Sequence, residues 1–383
     1  APPTLTALRV LQVDSGREWR GGQNQVRLLC RELARERDVE LRLATKRGSE
    51  LMQRCVAAGV LVHAVPWGIG LDPRAWWHLR SFLWSFRPDV VHVHDSHALT
   101  LVRAALWDMT RPALSGPGRW NPLRRWRARL TAPWRHADWN PPALVAHRRV
   151  DFRLRRPGQW LRADRVIAVS EAIKRVLVSD GVNPRDVTVV PDGIDPDEVR
   201  RAAAAPLGIR ARLGLPPGAP LAVNVAALVA HKDQRTLIRA ARAARELAPE
   251  LHWAIAGTGE LRSSLEREIA DLRLADRVHL LGFVTEADAL IREGNVFVMS
   301  SREEGLGSVV LHALALGKPV VATRAGGLPE IVPAEWLVPV GDPAALARRV
   351  VDALGHHDTV PFPKQCTAAA MAQAVLACYR SLA

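Results

Sequence analysis

Between residues 304 and 312 the sequence reads EGLGSVVLH, which places a carboxylate, two glycines, a hydroxyl and a histidine close together. The stretch is either an ordinary loop entering a core helix or the floor of a ligand site. In the second case Glu304 and His312 are its polar contacts, with Gly305, Leu306, Gly307 and Ser308 lining it. Two other glycine turns belong with it: Gly21 and Gly22 in WRGGQNQV (19–26), and Gly257 and Gly259 in AGTGEL (256–261). Glycines after strands let backbone amides approach a phosphate and open helices whose positive ends bind anions. Lys232, in LVAHKDQRTL, is either a solvated first-turn lysine or an ammonium placed to meet a diphosphate. His92, His94, Asp95 and His97 in HVHDSHA offer metal-ligating atoms, but no further ligand stands at a recognisable spacing and there is no D-x-D pair. A neutral imidazole donating to a sugar hydroxyl or a backbone carbonyl suits them better. No G-x-S-x-G elbow and no Cys or Ser nucleophile motif is present.

The elements that must position these residues alternate. Short apolar runs suited to strands occur at 8–13, 39–44, 89–94, 143–147 and 165–170, and a second series at 221–226, 251–257, 277–282, 295–300 and 319–323. Amphipathic stretches separate them, which is the pattern of helices crossing parallel sheets. The expected fold class is therefore α/β, with two facing Rossmann-like, doubly wound parallel-sheet domains joined near residues 192–205. A ligand should lie in the cleft between them, at the carboxyl ends of the strands.

The 383 residues exceed the size at which single cores stop growing, so two domains are expected on length alone. Apolar content of 48% with 24% charged residues is that of a globular protein, and there is no apolar run long enough for a membrane span. The N-terminal APPTLTALRV lacks the basic-then-apolar order of a leader, and four scattered cysteines suggest reduced thiols, so a cytoplasmic location is expected. The net charge of +14 is uneven: Trp120 to Arg165 holds twelve arginines against three aspartates. This implies an anionic partner, although a solvated basic face is the plainer reading. Within the Pro- and Trp-rich stretch 107–142, Leu123, Trp126, Leu130 and Trp134 fall at helical spacing, and Arg124, Arg125, Arg127 and Arg129 lie mostly elsewhere on the wheel. A basic amphipathic segment of that kind could lie in an anionic membrane interface, with Arg124, Trp126, Arg127 and Trp134 as its contacts, or could pack its Trp stripe on its own domain. Nucleic-acid binding through the same segment is the rival reading, but no nucleic-acid-binding motif accompanies the charge.

Three segments, SREEGLGSVVLHALALGKPVVATRAGGLPEIV (301–332), ADRVIAVSEAIKRVLVSDGVNPRDVTVVPDGIDP (163–196) and LADRVHLLGFV (274–284), together resemble a retaining glycosyltransferase of family 4 with the GT-B fold, similar to bacterial cell-envelope and lipopolysaccharide-type enzymes. The resemblance covers the chain apart from about 107–142. It implies an acceptor-binding domain over 1–198, a nucleotide-sugar-binding domain over 199–365, and a final helix over 366–383 that crosses back to the first domain. It further implies metal-independent transfer of a hexose from a nucleoside diphosphate sugar, UDP- or GDP-linked, with no cofactor. The expected acceptor is an anionic lipid-linked or lipopolysaccharide-type glycan at the inner face of the cytoplasmic membrane. In the family two glutamates eight residues apart contact the donor sugar and the ribose. Glu304 matches the first, whereas His312 stands at the second. A neutral imidazole accepts one hydrogen bond and donates another, and cannot accept two as a carboxylate does. Ala227 occupies the position of an arginine that shares the diphosphate with the lysine, so a replacement cation is sought in Arg148 or Arg149, beyond ALVAH. By the same resemblance Lys232 holds the diphosphate, Gly282 and Phe283 border the base, His94 orients the sugar, and Gly21 and Gly22 line the acceptor and phosphate side. Closure should hinge near 191–205. The two departures also allow a catalytically degenerate protein that binds only an anionic surface.

Overall fold

A computed structural model describes residues 7–68, 72–106, 140–150, 157–356 and 360–382. Arg124, Trp126, Arg127 and Trp134 therefore lie outside the described residues. The first sheet is wholly parallel, in the order β3-β2-β1-β4-β5-β6-β7, from β1 (Leu8–Asp14), β2 (Val39–Lys46), β3 (Val62–Val65), β4 (Val90–Val93), β5 (Ala143–Arg148), β6 (Arg165–Ala168) and β7 (Val187–Val189). The second, also parallel, runs β10-β9-β8-β11-β12-β13, from β8 (Leu221–Val225), β9 (His252–Ala256), β10 (Val278–Gly282), β11 (Val296–Met299), β12 (Val320–Thr323) and β13 (Leu337–Val338). The central strands VVHV, VFVM and VVAT are buried along their whole length, as strands covered by helices on both faces must be.

Strand order reverses between β1 and β4 in the first sheet and between β8 and β11 in the second. Adjacent helices diverge at such a switch point, which opens a crevice at the carboxyl ends of the strands. The loops after β1 and β4 begin at Ser15 and His94, and those after β8 and β11 carry Lys232 and Glu304. The ten strands expected from the sequence are present, and the structure adds β3, β7 and β13. All three are edge strands, of two to four residues.

Two crossings join the domains side by side. Ile194 N donates to Cys366 O and Ala368 N donates to Ile194 O, so the link near residue 194 is paired with the return of the chain. Gly193 belongs there because a Cβ would stand 2.5 Å from the Thr367 carbonyl. The last helix, Ala368–Arg380, packs against the helix Gly21–Leu33 of the first domain. It buries Met371, Val375, Leu376 and Tyr379 in that domain's core. The helix Pro196–Ala202, by contrast, packs on the helices Ala287–Glu293 and Ser308–Ala315 of the second domain.

Candidate active site

The second-domain half of the cleft is built around an ion pair. Lys232, just before the helix Gln234–Ala244, places Nζ 2.5 Å from Glu304 Oε2. Ser301 Oγ donates to the same oxygen at 3.1 Å, and Ser300 Oγ donates to the Lys232 carbonyl, so the end of β11 holds both partners. Neither side chain is more than 19% exposed. Glu304 is held from behind by the chain at Gly326, whose φ is +49° and where a Cβ would stand 1.7 Å from the Glu304 carbonyl oxygen. Gly307, at φ +88°, precedes the helix Ser308–Ala315, and no side chain caps it. Its first-turn amides thus point into the cleft with the positive end of the helix, beside an ammonium.

The first domain supplies the other wall. Arg149, one residue past β5, donates from Nε to Asp192 Oδ1 at 3.0 Å, from Nη1 to His94 Nδ1 at 3.1 Å, and from Nη2 to His147 Nδ1 at 3.2 Å. Asp192 Oδ2 in turn accepts from Ser308 Oγ at 3.3 Å, which links the guanidinium to the helix start across the cleft. Burial pushes the Asp192 carboxyl up, against the pull of Arg149. Because Arg149 can only donate, His94 must accept at Nδ1, and its Nε2–H then donates to Gln12 Oε1 at 2.7 Å. Gln12 Nε2 donates to Tyr379 Oη at 2.7 Å, and Tyr379 lies 2.6 Å from His92 Nδ1. Burial above all, with Arg149 assisting, pushes the pKa values of His92, His94 and His147 well below the usual range, so all three rings are neutral. Among the described residues, the Nε2 atoms of His92 and His147 are buried without a hydrogen-bond partner.

Ligand atoms of these three rings lie within 4.8 Å of one another, which is metal-cage spacing. The donor set nevertheless does not suit a cation. Two of the Nδ1 lone pairs are spent on a guanidinium that Asp192 anchors, and a metal ion would have to displace that positive charge. Asp95 and His97 stand apart from the cluster. Asp95 caps the helix Ser96–Ala105 by accepting from Ala98 N, and it also accepts from Ser15.

The two walls meet directly. Ser170 Oγ donates 2.7 Å to the Gly305 carbonyl, and both oxygens of Glu330 accept from the first amides of the helix Glu171–Ser179, those of Glu171 and Ala172, at 3.0 Å. Gly305 is required here, because a Cβ would lie 1.9 Å from the Arg149 carbonyl oxygen.

The residues singled out by sequence are distributed as follows. Glu304, Lys232, Gly305, Leu306, Gly307, Ser308 and Arg149 come together at the cleft. Gly257 and Gly259 lie against the backbone of the loop after β8, where Cβ atoms would stand 1.9 Å from Ala226 O and 2.2 Å from Leu228 O. Gly282, at φ +74°, ends β10, and Phe283 follows it 73% exposed. Gly21 and Gly22 open the helix Gly21–Leu33 with free space beside them. Arg148 is not in the cleft cluster, because alternation along β5 sends it to the other sheet face, where its guanidinium lies 5.4 Å from the Trp160 ring centre. His94 has both ring nitrogens engaged within its own domain, so its observed contact is Arg149. The sequence by itself does not single out His147, Asp192, Ser301 or Glu330. Their partners lie in distant parts of the sequence or, for Ser301, in a turn that spacing does not single out.

Two family models match the chain: one described as Glycosyltransferase Family 4 over residues 19–198, and one described as Glycosyl transferases group 1 over residues 219–356. The chain belongs to glycosyltransferase family 4. Among its relatives, the 2-deoxystreptamine glucosyltransferase of Streptomyces kanamyceticus is 31% identical over 49% of this chain and 51% of its own length. The lipopolysaccharide core biosynthesis glycosyltransferase LpsE of Rhizobium meliloti is 33% identical over 37% of this chain and 41% of its own. The chain thus spans about half the length, or less, of the curated relatives it matches. The crystal structure of HepE from Anabaena, determined with UDP and glucose, superposes with a TM-score of 0.68 over 98% of this chain and 97% of its own, at 18% identity. That likeness establishes the GT-B fold for this family 4 member, with its two parallel sheets and intervening cleft.

Proposed function

We propose that this protein transfers a sugar from a nucleoside diphosphate sugar to an acceptor hydroxyl, without a metal and with the anomeric configuration retained. The observation that carries the reading is the Lys232–Glu304 pair at the uncapped start of the helix Ser308–Ala315. In this reading the diphosphate lies against the first amides of that helix, between Lys232 and Arg149. Arg149 then supplies, from the opposite domain, the cation that Ala227 cannot. Glu304 accepts a hydroxyl of the donor sugar and so points its anomeric carbon at the first domain. As the bond from that carbon to the diphosphate breaks, the electron pair goes to the departing phosphate oxygen, where fixed positive charge is worth most. The acceptor hydroxyl adds on the face the diphosphate is leaving, and its proton passes to the same phosphate oxygen, so no protein nucleophile is used. His94 and His147, neutral and fixed, hold Arg149 in place. UDP bound to the structurally similar HepE supports a nucleotide donor, and the role named for LpsE supports a cell-envelope acceptor.

A panel of UDP, GDP, ADP and CMP at matched ionic strength tests donor binding. One diphosphate at about one hundred times its Kd should stabilise the protein by about 2.7 kcal/mol and raise the thermal midpoint accordingly. No rise with any of them would remove the donor site. The proposed acceptor is an anionic lipid-linked glycan, to which the basic Trp-rich sequence 107–142 would bring the enzyme at the membrane surface. Among the described residues no helix is long and apolar enough to cross a membrane. Binding to vesicles that contain anionic lipid should exceed binding to neutral ones and should fall in Trp126→Ala and Arg124→Ala. Equal binding to both kinds of vesicle would count against a membrane-borne acceptor.

A further inference from the structure

His312 is not alone in its part of the cleft. From the helix Ser308–Ala315 its Nδ1 lies 2.7 Å from Asp288 Oδ1, in the opening turn of the helix Ala287–Glu293. Both side chains keep some exposure, 22% for His312 and 19% for Asp288, so a ligand can reach the pair. A carboxylate accepts only, so Nδ1 carries the hydrogen, and Nε2 is the ring atom left to meet a ligand, where its lone pair can accept. Among the described residues Asp288 Oδ2 has no donor. The pair thus presents two acceptors, one nitrogen and one carboxylate oxygen, from two neighbouring helices. A ribose presents two adjacent hydroxyls that need two acceptors.

We infer that Asp288 and His312 together form the ribose-diol site, Nε2 accepting one hydroxyl and Asp288 Oδ2 the other. The inference rests on the donor reading above and deepens it. It assigns to Asp288, which no motif singled out, a specificity-determining role. The carboxylate lacking at position 312 is supplied from position 288, and the imidazole is fixed in the tautomer that accepts. A glutamate at 312 would be excluded here, because it would set a second carboxylate against Asp288.

The test uses the full chain and compares UDP and GDP with their 2′-deoxy and 3′-deoxy counterparts by titration calorimetry. Wild type should bind the preferred ribonucleotide about tenfold to a hundredfold more tightly than either deoxy form, the loss expected when a hydrogen bond to a charged or polarised acceptor goes unmade. Asp288→Asn should bind about tenfold less tightly and discriminate less between ribose and deoxyribose. His312→Glu alone should bind poorly, and His312→Glu with Asp288→Asn should recover toward wild type, because the second change removes the repulsion. The unfolding midpoint of each variant without ligand shows whether it is folded, and the wild-type deoxynucleotide comparison stands even where a variant is not. Equal wild-type affinity for ribose and deoxyribose forms would overturn the inference while leaving the donor site intact. So would an Asp288→Asn protein that is merely less stable, with the wild-type preference kept, since that is the signature of a helix clamp. Failure of wild type to bind any ribonucleotide would overturn the donor reading and this inference with it.

Discussion

Lys232→Ala should lower turnover by about a hundredfold to a thousandfold, the range found when one fixed charge or donor is removed from a developing oxyanion. Two effects add in the same direction. The leaving diphosphate loses its nearest second-domain cation, and Glu304, half-buried beside Ser301 with Nζ at 2.5 Å, loses its counter-charge. An unpaired carboxylate next to a diphosphate repels it, so donor affinity should fall with turnover. Lys232→Ala combined with Glu304→Gln removes the repulsion and should recover affinity but not turnover. Steady-state rates and calorimetric affinities for both variants separate the two effects. A Lys232→Ala enzyme within a few-fold of wild type would place the phosphate charge elsewhere.

Acid should unfold this protein steeply. His92, His94 and His147 have their pKa values pushed well below 6.5, chiefly by burial. Folded pKa values lower than the unfolded ones mean that the contribution is complete above pH 6.5 and is lost as pH falls below it. The unfolded chain then takes up protons that the folded chain refuses. Each such histidine contributes a slope of about 1.4 kcal/mol per pH unit, so the three give about 4 kcal/mol per unit. Asp14 acts in the opposite sense. Burial first, and the Asp95 charge second, push its carboxyl up to about 6 from 3.8. The folded chain therefore binds a proton before the unfolded chain does, which returns about 1.4 kcal/mol per unit between pH 6 and 4. His63, His252 and His279, also lowered chiefly by burial, add to the loss. Denaturant unfolding at pH 7, 6 and 5 should show the decline, and Asp14→Asn should steepen it below pH 6. A flat profile from pH 7 to 5 would mean that the three rings take up protons in the folded state.

The architecture could be read from the sequence because parallel strands covered on both faces are continuous apolar runs, and ten of these are long enough to register. What failed to register was short, like the two-residue β13. The cleft residues that lie on one loop, Glu304 to Ser308, were legible for the same local reason. Hydrogen bonds between distant segments were not: Asp288 meets His312 across 24 residues, Arg149 meets Asp192 across 43, and Glu330 meets Ala172 across 158. Asp192 sits in VVPDGIDP, where an aspartate before glycine reads as turn chemistry. Arg148 and Arg149 could not be told apart by composition. Strand alternation, known once β5 has its register with β4 and β6, sends one to Trp160 and the other to the cleft.

Cleavage of the bond between a sugar and a nucleoside diphosphate, with the configuration of the sugar kept, is the reaction proposed for the cleft. Water can stand in for the acceptor, so the direct measurement is proton NMR of the enzyme with α-linked UDP- and GDP-hexoses, following the first sugar released. One donor should be cleaved, the α anomer should appear first, and Lys232→Ala should slow the release by about a hundredfold or more. First appearance of the β anomer, or no cleavage of any donor by a protein that binds its diphosphate, would contradict that reaction.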